Sequence, residues 1–233
     1  MMTCLISCIV PVFNGERYVT EALDSILAQT YRPVEIIVAD DGSTDGTAAV
    51  VAKYGQQVRY VWQPNAGPGA ARNLGLSMAQ GEFVAFLDAD DVWHPEKLTR
   101  QMTRFQARPE LEMCVTHMQN FWIPELYEEA ARFQHHRLSQ ALPGYLTQTL
   151  LVRRTLFDKV GLFNAAFRHV HDSEWFVRAT AQGVVTELLP DVLVYRRLHH
   201  TNRSRRLAAA SRDEYLQLVK ASIDHRRRSE AAG

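Results

Sequence analysis

The sequence predicts an α/β protein with a mostly parallel central sheet flanked by helices and a Rossmann-like N-terminal half. Three observations predict it. Short apolar runs alternate with amphipathic stretches from Leu5 to Leu87. Each of the first two runs ends in a polar turn, as strand ends do where open sheets bind ligands. The run Phe83-Val-Ala-Phe-Leu87 closes on Asp88-Ala-Asp-Asp91, which places carboxylates at the end of a buried strand.

Taken in order, Leu5 to Val10 reads as a strand and Arg17 to Gln29 as an amphipathic helix, with Val19, Leu23, Ile26 and Leu27 on one side. Val34 to Ala39 is the second strand, Asp45 to Lys53 a helix, Val58 to Trp62 the third strand, Gly69 to Ala79 a helix and Phe83 to Leu87 the fourth strand. A further helix starts at Pro95, a residue whose fixed φ suits a first helical turn. Strands alternating with helices imply βαβ units and parallel pairing. Further on, Met113 to His117 and Leu146 to Val152 read as strands, Arg154 to Val160 as a short helix and Ser173 to Gln182 as a helix stopped by Gly183. Val184 to Leu188 and Val192 to Tyr195 read as closing strands, whereas Gln119 to Pro143 carries little periodicity. The expected division is one domain over 1–205, with a nucleotide-fold half at 1–106 and a less regular half at 107–205, followed by a helical tail over 206–233.

A chain of 233 residues buries one substantial core. Its 26 basic residues balance its 26 acidic ones, so no global field attracts nucleic acid, and phosphate recognition has to be local. Cys4, Cys8 and Cys114 are odd in number and lack CxxC spacing, which argues against a disulfide framework or zinc site and fits a reducing cytoplasm. The N-terminus lacks the basic region of a signal peptide and reads as the lead-in to the first strand. No apolar stretch approaches the roughly 20 residues of a transmembrane helix. In the tail, Tyr215, Leu218, Val219 and Ile223 recur near helical period before Arg226-Arg-Arg228; such a stripe packs on the body, on a partner such as a second copy, or on a membrane surface.

The chemistry-bearing residues cluster at strand ends: Pro11-Val-Phe-Asn14, Asp40-Asp-Gly-Ser-Thr-Asp45 and Asp88 to Asp91. Carboxylates spaced D-x-D point to one side of an extended segment and offer hard oxygen ligands for Mg²⁺ or Mn²⁺. Asp is also a helix cap and a turn former, so capping is the bland alternative at Asp91 and at Ser43 to Gly46. Asn65-Ala-Gly67-Pro-Gly-Ala-Ala-Arg72-Asn73 joins a glycine-bearing loop to a helix. It is a poor dinucleotide fingerprint, because Arg72 stands at the third glycine, and its arginine is either a nucleotide contact or a surface charge.

Pro11-Val-Phe-Asn-Gly15, Asp40 to Asp45, Ala70-Ala-Arg-Asn73 and Phe86-Leu-Asp-Ala-Asp-Asp91, in that order, resemble the successive motifs of family 2 glycosyltransferases with the GT-A fold. The resemblance implies an inverting, metal-dependent transfer of one sugar from a nucleoside-diphosphate sugar, usually a UDP-sugar, to an acceptor hydroxyl. It implies donor-nucleotide contacts from Pro11, Val12, Phe13, Asn14, Glu16, Asp40, Asp41, Gly67, Arg72, Asp88 and Ala89, and Asp90 as the main ligand of Mn²⁺ or Mg²⁺. His171-Asp-Ser-Glu-Trp-Phe-Val-Arg178 resembles the family's acidic motif and implies Asp172 as catalytic base, with Glu174 as the second candidate and an N-cap as the structural alternative for Asp172. This chain has His171 where the family often has Glu. Tyr195-Arg-Arg-Leu-His199 resembles the segment that in some relatives supplies a late metal ligand, His199 here or its neighbour His200; Arg196, Arg197 and Arg203 are alternative partners of the diphosphate. A sugar-nucleotide-forming nucleotidyltransferase and a non-catalytic sugar-nucleotide-binding module are the rival readings. The acceptor is not legible.

Overall fold

The computed structural model describes residues 4–203 and 212–220. The elements are β1 (Ile6–Val12), α1 (Val19–Leu27), β2 (Val34–Asp40), α2 (Thr47–Ala52), β3 (Arg59–Trp62), α3 (Pro68–Met78), β4 (Phe83–Phe86), β5 (Val92–Trp93), α4 (Lys97–Ala107) and β6 (Met113–Trp122). They continue as α5 (Tyr127–Arg132), β7 (Leu142–Pro143), β8 (Leu151–Arg153), α6 (Leu156–Val160), α7 (His171–Ala181) and β9 (Thr186–Leu198). A final helix, α8, covers 212–220.

One nine-stranded sheet runs β3-β2-β1-β4-β8-β6-β9-β5, with β7 paired to β6. Strands β1 to β4 pair with one another in parallel, as βαβ units demand: β2 and β4 flank β1, and β3 pairs with β2. Parallelism does not extend across the sheet, because β4–β8, β6–β8, β6–β7 and β5–β9 are antiparallel; the sheet is mixed. Register brings the early strand ends to one edge: Val12 lies opposite Asp40, Asp40 opposite Trp62, and Ile9 opposite Phe86, the last residue of β4. The acidic turn after β4 therefore opens beside the loops after β1 and β2.

Alternation in β1 builds both faces. Ile6, Cys8, Val10 and Val12 pack with Leu23 and Ile26 of α1 and Leu98, Met102 and Phe105 of α4. Ile9, with Val84 and Phe86 of β4, packs against Phe157, Phe163 and Trp175 on the opposite face. Strand β1 runs past its expected end through Pro11. Ile9 accepts a hydrogen bond from Leu87 N–H, so Pro11, two residues on, turns its donorless nitrogen to that same side, beyond the end of β4.

Three expectations in the second half change. Residues Thr147–Thr149 form a 3₁₀ turn before β8 rather than the start of a strand. Thr149 Oγ1 donates to the carbonyls of Gly144 and Leu146, which favours a turn over a ladder. The two closing strands are one, β9: Leu189 and Val192 face consecutive residues Thr116 and His117, and Pro190 and Asp191 form the extra residues of a bulge. The weakly periodic stretch contributes the outer end of β6, then α5 and β7.

In the tail, Leu218 is buried while Tyr215 and Val219 are exposed. Ile223, Arg226 to Arg228 and the expected boundary at 205/206 lie outside the described residues. No helix among the described residues is long and apolar enough to cross a membrane.

Lys97 of α4 is fully buried, with Nζ 2.9 Å from Gln101 Oε1 and 4.2 Å from the centre of the Trp93 ring. Desolvation pulls its pKa down to about 7. Above that pH the unfolded chain holds a proton that the folded chain has lost, so this group makes stability rise with pH toward the free lysine value of roughly 10.4. Burial pushes the Cys8 and Cys114 thiols up to about 12, an opposing effect that begins only near the free thiol value of about 8.5. Urea unfolding at pH 7.0 and 8.5 should therefore show wild type gaining about 1–2 kcal/mol relative to Lys97→Met. An identical pH dependence of the two proteins would show that Lys97 does not titrate in this window.

Candidate active site

The loops after β1 and β2 are bonded into one wall. Asn14 sits at φ +52°, a region that Asn tolerates better than most residues. Its N–H donates to Ser43 Oγ and its Oδ1 accepts from Thr44 N–H, both at 2.8 Å. Gly15 N–H donates to Thr47 Oγ1, Glu16 N–H to Asp45 Oδ2, and Glu16 Oε2 accepts from Gly46 N–H. The candidates Asn14 and Glu16 are therefore braces of this wall, Pro11 and Val12 lie within β1, and Phe13 projects its ring, 52% exposed, at the rim.

Asp40 and Asp41 are both buried. Asp40 accepts from Ser43 N–H and from the Tyr60 hydroxyl at 2.7 Å; burial and this carboxylate push the phenol pKa up. Asp41 Oδ1 accepts from Gln63 Nε2 and Ala66 N–H, and Oδ2 from Gly67 N–H at 2.8 Å. Gly67, at φ +96°, precedes Pro68 at the start of α3. The Asp pair thus ties the turn after β2 to the glycine loop after β3.

After β4 the chain turns at Asp88, whose carbonyl accepts from Asp91 N–H. Oxygens of Asp88, Asp90 and Asp91 lie within 4.8 Å of one another. Ala89, between the first two, is buried. Asp91 is buried as well and accepts from Arg197 N–H at 3.0 Å and Gln148 Nε2 at 3.3 Å. Desolvation, reinforced by Asp90 and Asp88, drives its pKa well up. It is not a helix cap, since α4 begins at Lys97 with Glu96 at its cap position.

The partly exposed Asp90 places Oδ2 2.9 Å from His199 Nε2 and 3.2 Å from Asn202 Nδ2. His199 is fixed by Thr201 Oγ1, 2.8 Å from its Nδ1, and by the Tyr18 ring, whose centre lies 4.8 Å away. His200 is exposed, leaving His199 as the imidazole beside Asp90. The oxygens of Asp88, Asp90 and Asp91 form a donor set that could hold a hard divalent ion, and the His199 imidazole lies beside its Asp90 member. Asn202 escapes a sequence reading because an Asn three residues past a His carries no recognisable spacing.

Arg197 is directed inward. Its Nε donates to Asp90 O, its Nη2 to Glu21 Oε2, and its guanidinium lies between the Tyr18 and Phe121 rings at 4.8 and 4.7 Å. It buttresses the acidic turn instead of standing free for a diphosphate. Arg203 donates to Arg168 O.

Across the crevice, Asp172 occupies the first turn of α7, whose cap position is Val170. It accepts only from the adjacent Ser173 N–H among its described hydrogen bonds, at 2.9 Å, and so does not act as the helix cap. Burial raises its pKa and Asp88 adds to the rise, while Arg72 opposes it. Arg72, only 3% exposed, joins the two sides: Nη2 donates to Asp88 Oδ1 and Nη1 to His171 Nε2 at 2.7 Å. Burial and the nearby cations lower the His171 pKa to about 2, so its ring is neutral and can accept. Glu174 is gripped by Arg178 through both oxygens at 2.6 and 3.0 Å, and Arg178 also donates to Val160 and Leu162 carbonyls. Glu174 thus ties α7 to the turn after α6.

The family model for glycosyl transferase family 2 matches residues 7–175. A Rickettsia prowazekii protein named as an uncharacterized glycosyltransferase is 32% identical over 206 residues, covering 84% of this chain and 64% of its own length. A similarly named Nostoc protein is 32% identical over 224 residues, covering 90% and 69%. Among solved structures, S. aureus TarS in complex with UDP-GlcNAc superposes with a TM-score of 0.71 at 23% identity, covering 88% of this chain and 61% of its own. The mannosyltransferase PcManGT from Pyrobaculum calidifontis, in complex with GDP-Man and Mn²⁺, gives 0.67 at 21%, covering 88% and 60%. These likenesses show a shared GT-A fold. The chain thus spans under two thirds of the Rickettsia prowazekii relative and of both solved neighbours. With the family model covering well over half of the chain, from the second residue of β1 into α7, the protein belongs to glycosyl transferase family 2.

Proposed function

We propose that this chain transfers a single sugar from a nucleoside-diphosphate sugar, a UDP-sugar in the first instance, to an acceptor hydroxyl with inversion at the anomeric carbon. The observation that carries the reading is the pairing of two acidic centres across Arg72: the Asp88–Asp90–Asp91 cluster beside His199, and Asp172 on α7. The complexes of TarS with UDP-GlcNAc and of PcManGT with GDP-Man and Mn²⁺ support a nucleotide-sugar donor and a divalent metal. A cytoplasmic location belongs to the same proposal and is supported by Cys4, Cys8 and Cys114 being free thiols.

In this mechanism Asp90 and Asp88, with His199 beside them, would hold Mn²⁺ or Mg²⁺, and the ion would supply positive charge for the departing diphosphate. The wall formed by residues 11–16 and 40–46, with Phe13 at its rim and the Asp41–Gly67 tie behind it, receives the nucleotide. Asp172 accepts the acceptor's hydroxyl proton as that oxygen bonds to the anomeric carbon and the bond to the diphosphate oxygen breaks on the opposite face. A raised carboxyl pKa suits a base, because it strengthens the pull on the proton. Arg72 opposes the rise of that carboxyl's pKa and pairs directly with Asp88.

Three substitutions test these roles. Asp90→Ala should lower Mn²⁺ affinity, read by paramagnetic resonance of free Mn²⁺, by tenfold or more; unchanged affinity removes Asp90 from the metal site. Asp172→Asn should cut Mn²⁺-dependent turnover of UDP-GlcNAc, UDP-glucose or GDP-mannose by roughly 10²–10⁴-fold with UDP affinity preserved. Glu174→Gln should lower thermal stability through the lost Arg178 pair while keeping most of the turnover. Loss of turnover in a Glu174→Gln protein that melts like wild type would reassign the base.

A further inference from the structure

Helix α8 lies far along the chain from α7, yet two neighbouring residues of α8 hold both flanks of Asp172. Glu214 accepts three backbone hydrogen bonds: from Arg168 N–H at 3.0 Å through Oε1, and from His169 and Val170 N–H at 2.7 and 3.1 Å through Oε2. Consecutive N–H groups converging on one carboxylate form an anion nest, and bonds to a charged acceptor are among the stronger ones a backbone makes. On the other flank the Tyr215 hydroxyl lies 3.1 Å from Ser173 Oγ. Leu218, the buried apolar residue of α8, anchors the same helix. Arg203 adds a third tie from the C-terminal side by donating to Arg168 O.

This matters because α7 lacks a side-chain cap of its own. The N–H groups of residues 168–170, which lead into the helix, are satisfied from α8. From these contacts we infer that Glu214 is a positioning residue for Asp172. Its carboxylate fixes the turn from which the base projects, and Tyr215 fixes the residue after it. The role rests on the functional reading for the identity of the base, whereas the hold on residues 168–170 stands on geometry alone. A shift of about 1 Å in a base can cost on the order of 10²-fold in rate, so loosening this turn acts on turnover while leaving the nucleotide wall intact.

The test uses the full chain and compares wild type with Glu214→Ala, Glu214→Gln and Tyr215→Phe. Amide hydrogen exchange, UDP affinity and hydrolysis of UDP-GlcNAc in Mn²⁺ are followed with and without added acetate. Glu214→Ala should speed exchange at 168–170 by at least tenfold and slow hydrolysis by about tenfold or more. Exchange in β1–β4 and UDP affinity should not change. Acetate, refilling the vacated nest, should restore part of both the protection and the rate in this variant and neither in wild type. Unchanged exchange at 168–170, or lost protection with a wild-type rate, overturns the inference. If Glu214→Ala does not fold, the other two variants decide, and wild-type rates in both overturn it. A wild type that hydrolyses no UDP-GlcNAc, UDP-glucose or GDP-mannose removes the functional reading and with it the role assigned to Asp172; exchange at 168–170 then still decides whether Glu214 holds the turn.

Discussion

Arg72 is the interaction on which the site depends. Helix α3 can place it there because Gly75 lets the helix press on the sheet: a Cβ at Gly75 would fall 2.3 Å from Ile9 Cγ2. Arg72 lies three residues earlier and so shares that inward face. Its guanidinium then reaches Asp88, at the end of β4, and His171, at the start of α7. One buried cation thereby fixes the relative position of the two halves where their acids face each other. Breaking such a buried pair from one side typically costs ~3–5 kcal/mol, and the one-third exposure of the Asp88 side chain places this one toward the lower end.

Around that cation the charges are distributed unevenly, and the unevenness has a purpose. Asp88 and Asp172 share the field of Arg72 because its other partner, His171, is neutral and takes a hydrogen bond without taking charge. Arg197 supports the acidic turn from β9 through a carbonyl and a backbone N–H, so it stiffens the turn with little direct neutralisation of Asp90. Asp90 is left with His199 and Asn202, two neighbours that orient a carboxylate without an obligatory opposing charge. The Asp90 carboxylate thereby stays oriented toward the cluster it forms with Asp88 and Asp91.

Much of this was legible in the sequence, for local reasons. The strands β1 to β4 are short apolar runs bounded by turn formers, and their residues were placed to within two positions at each end because periodicity and turn chemistry agree there. The acidic turn was legible because carboxylates at a buried strand end have few purely structural uses. The 3₁₀ turn at Thr147–Thr149 was not, since its cause is threonine hydroxyls bonding to carbonyls in a stretch that is otherwise apolar. Nor were Asn202, Glu214 and the inward, buttressing role of Arg197. Each acts from the last third of the chain on backbone groups or on one side chain across the sheet, and such contacts leave no periodic trace. Glu174 stood second to Asp172 in the sequence; Arg178, one turn on in the same helix, holds it in an ion pair that no spacing rule singles out as structural.

The central claim is that the acidic turn and the wall beside it form one metal-dependent nucleotide site. Calorimetric titration of the chain with UDP, GDP and dTDP, in Mn²⁺ and again in EDTA, tests it most directly. One diphosphate should bind in preference to the others, and the binding should be lost in EDTA. Binding that is indifferent to the metal, or no binding of any of the three nucleotides, would contradict it.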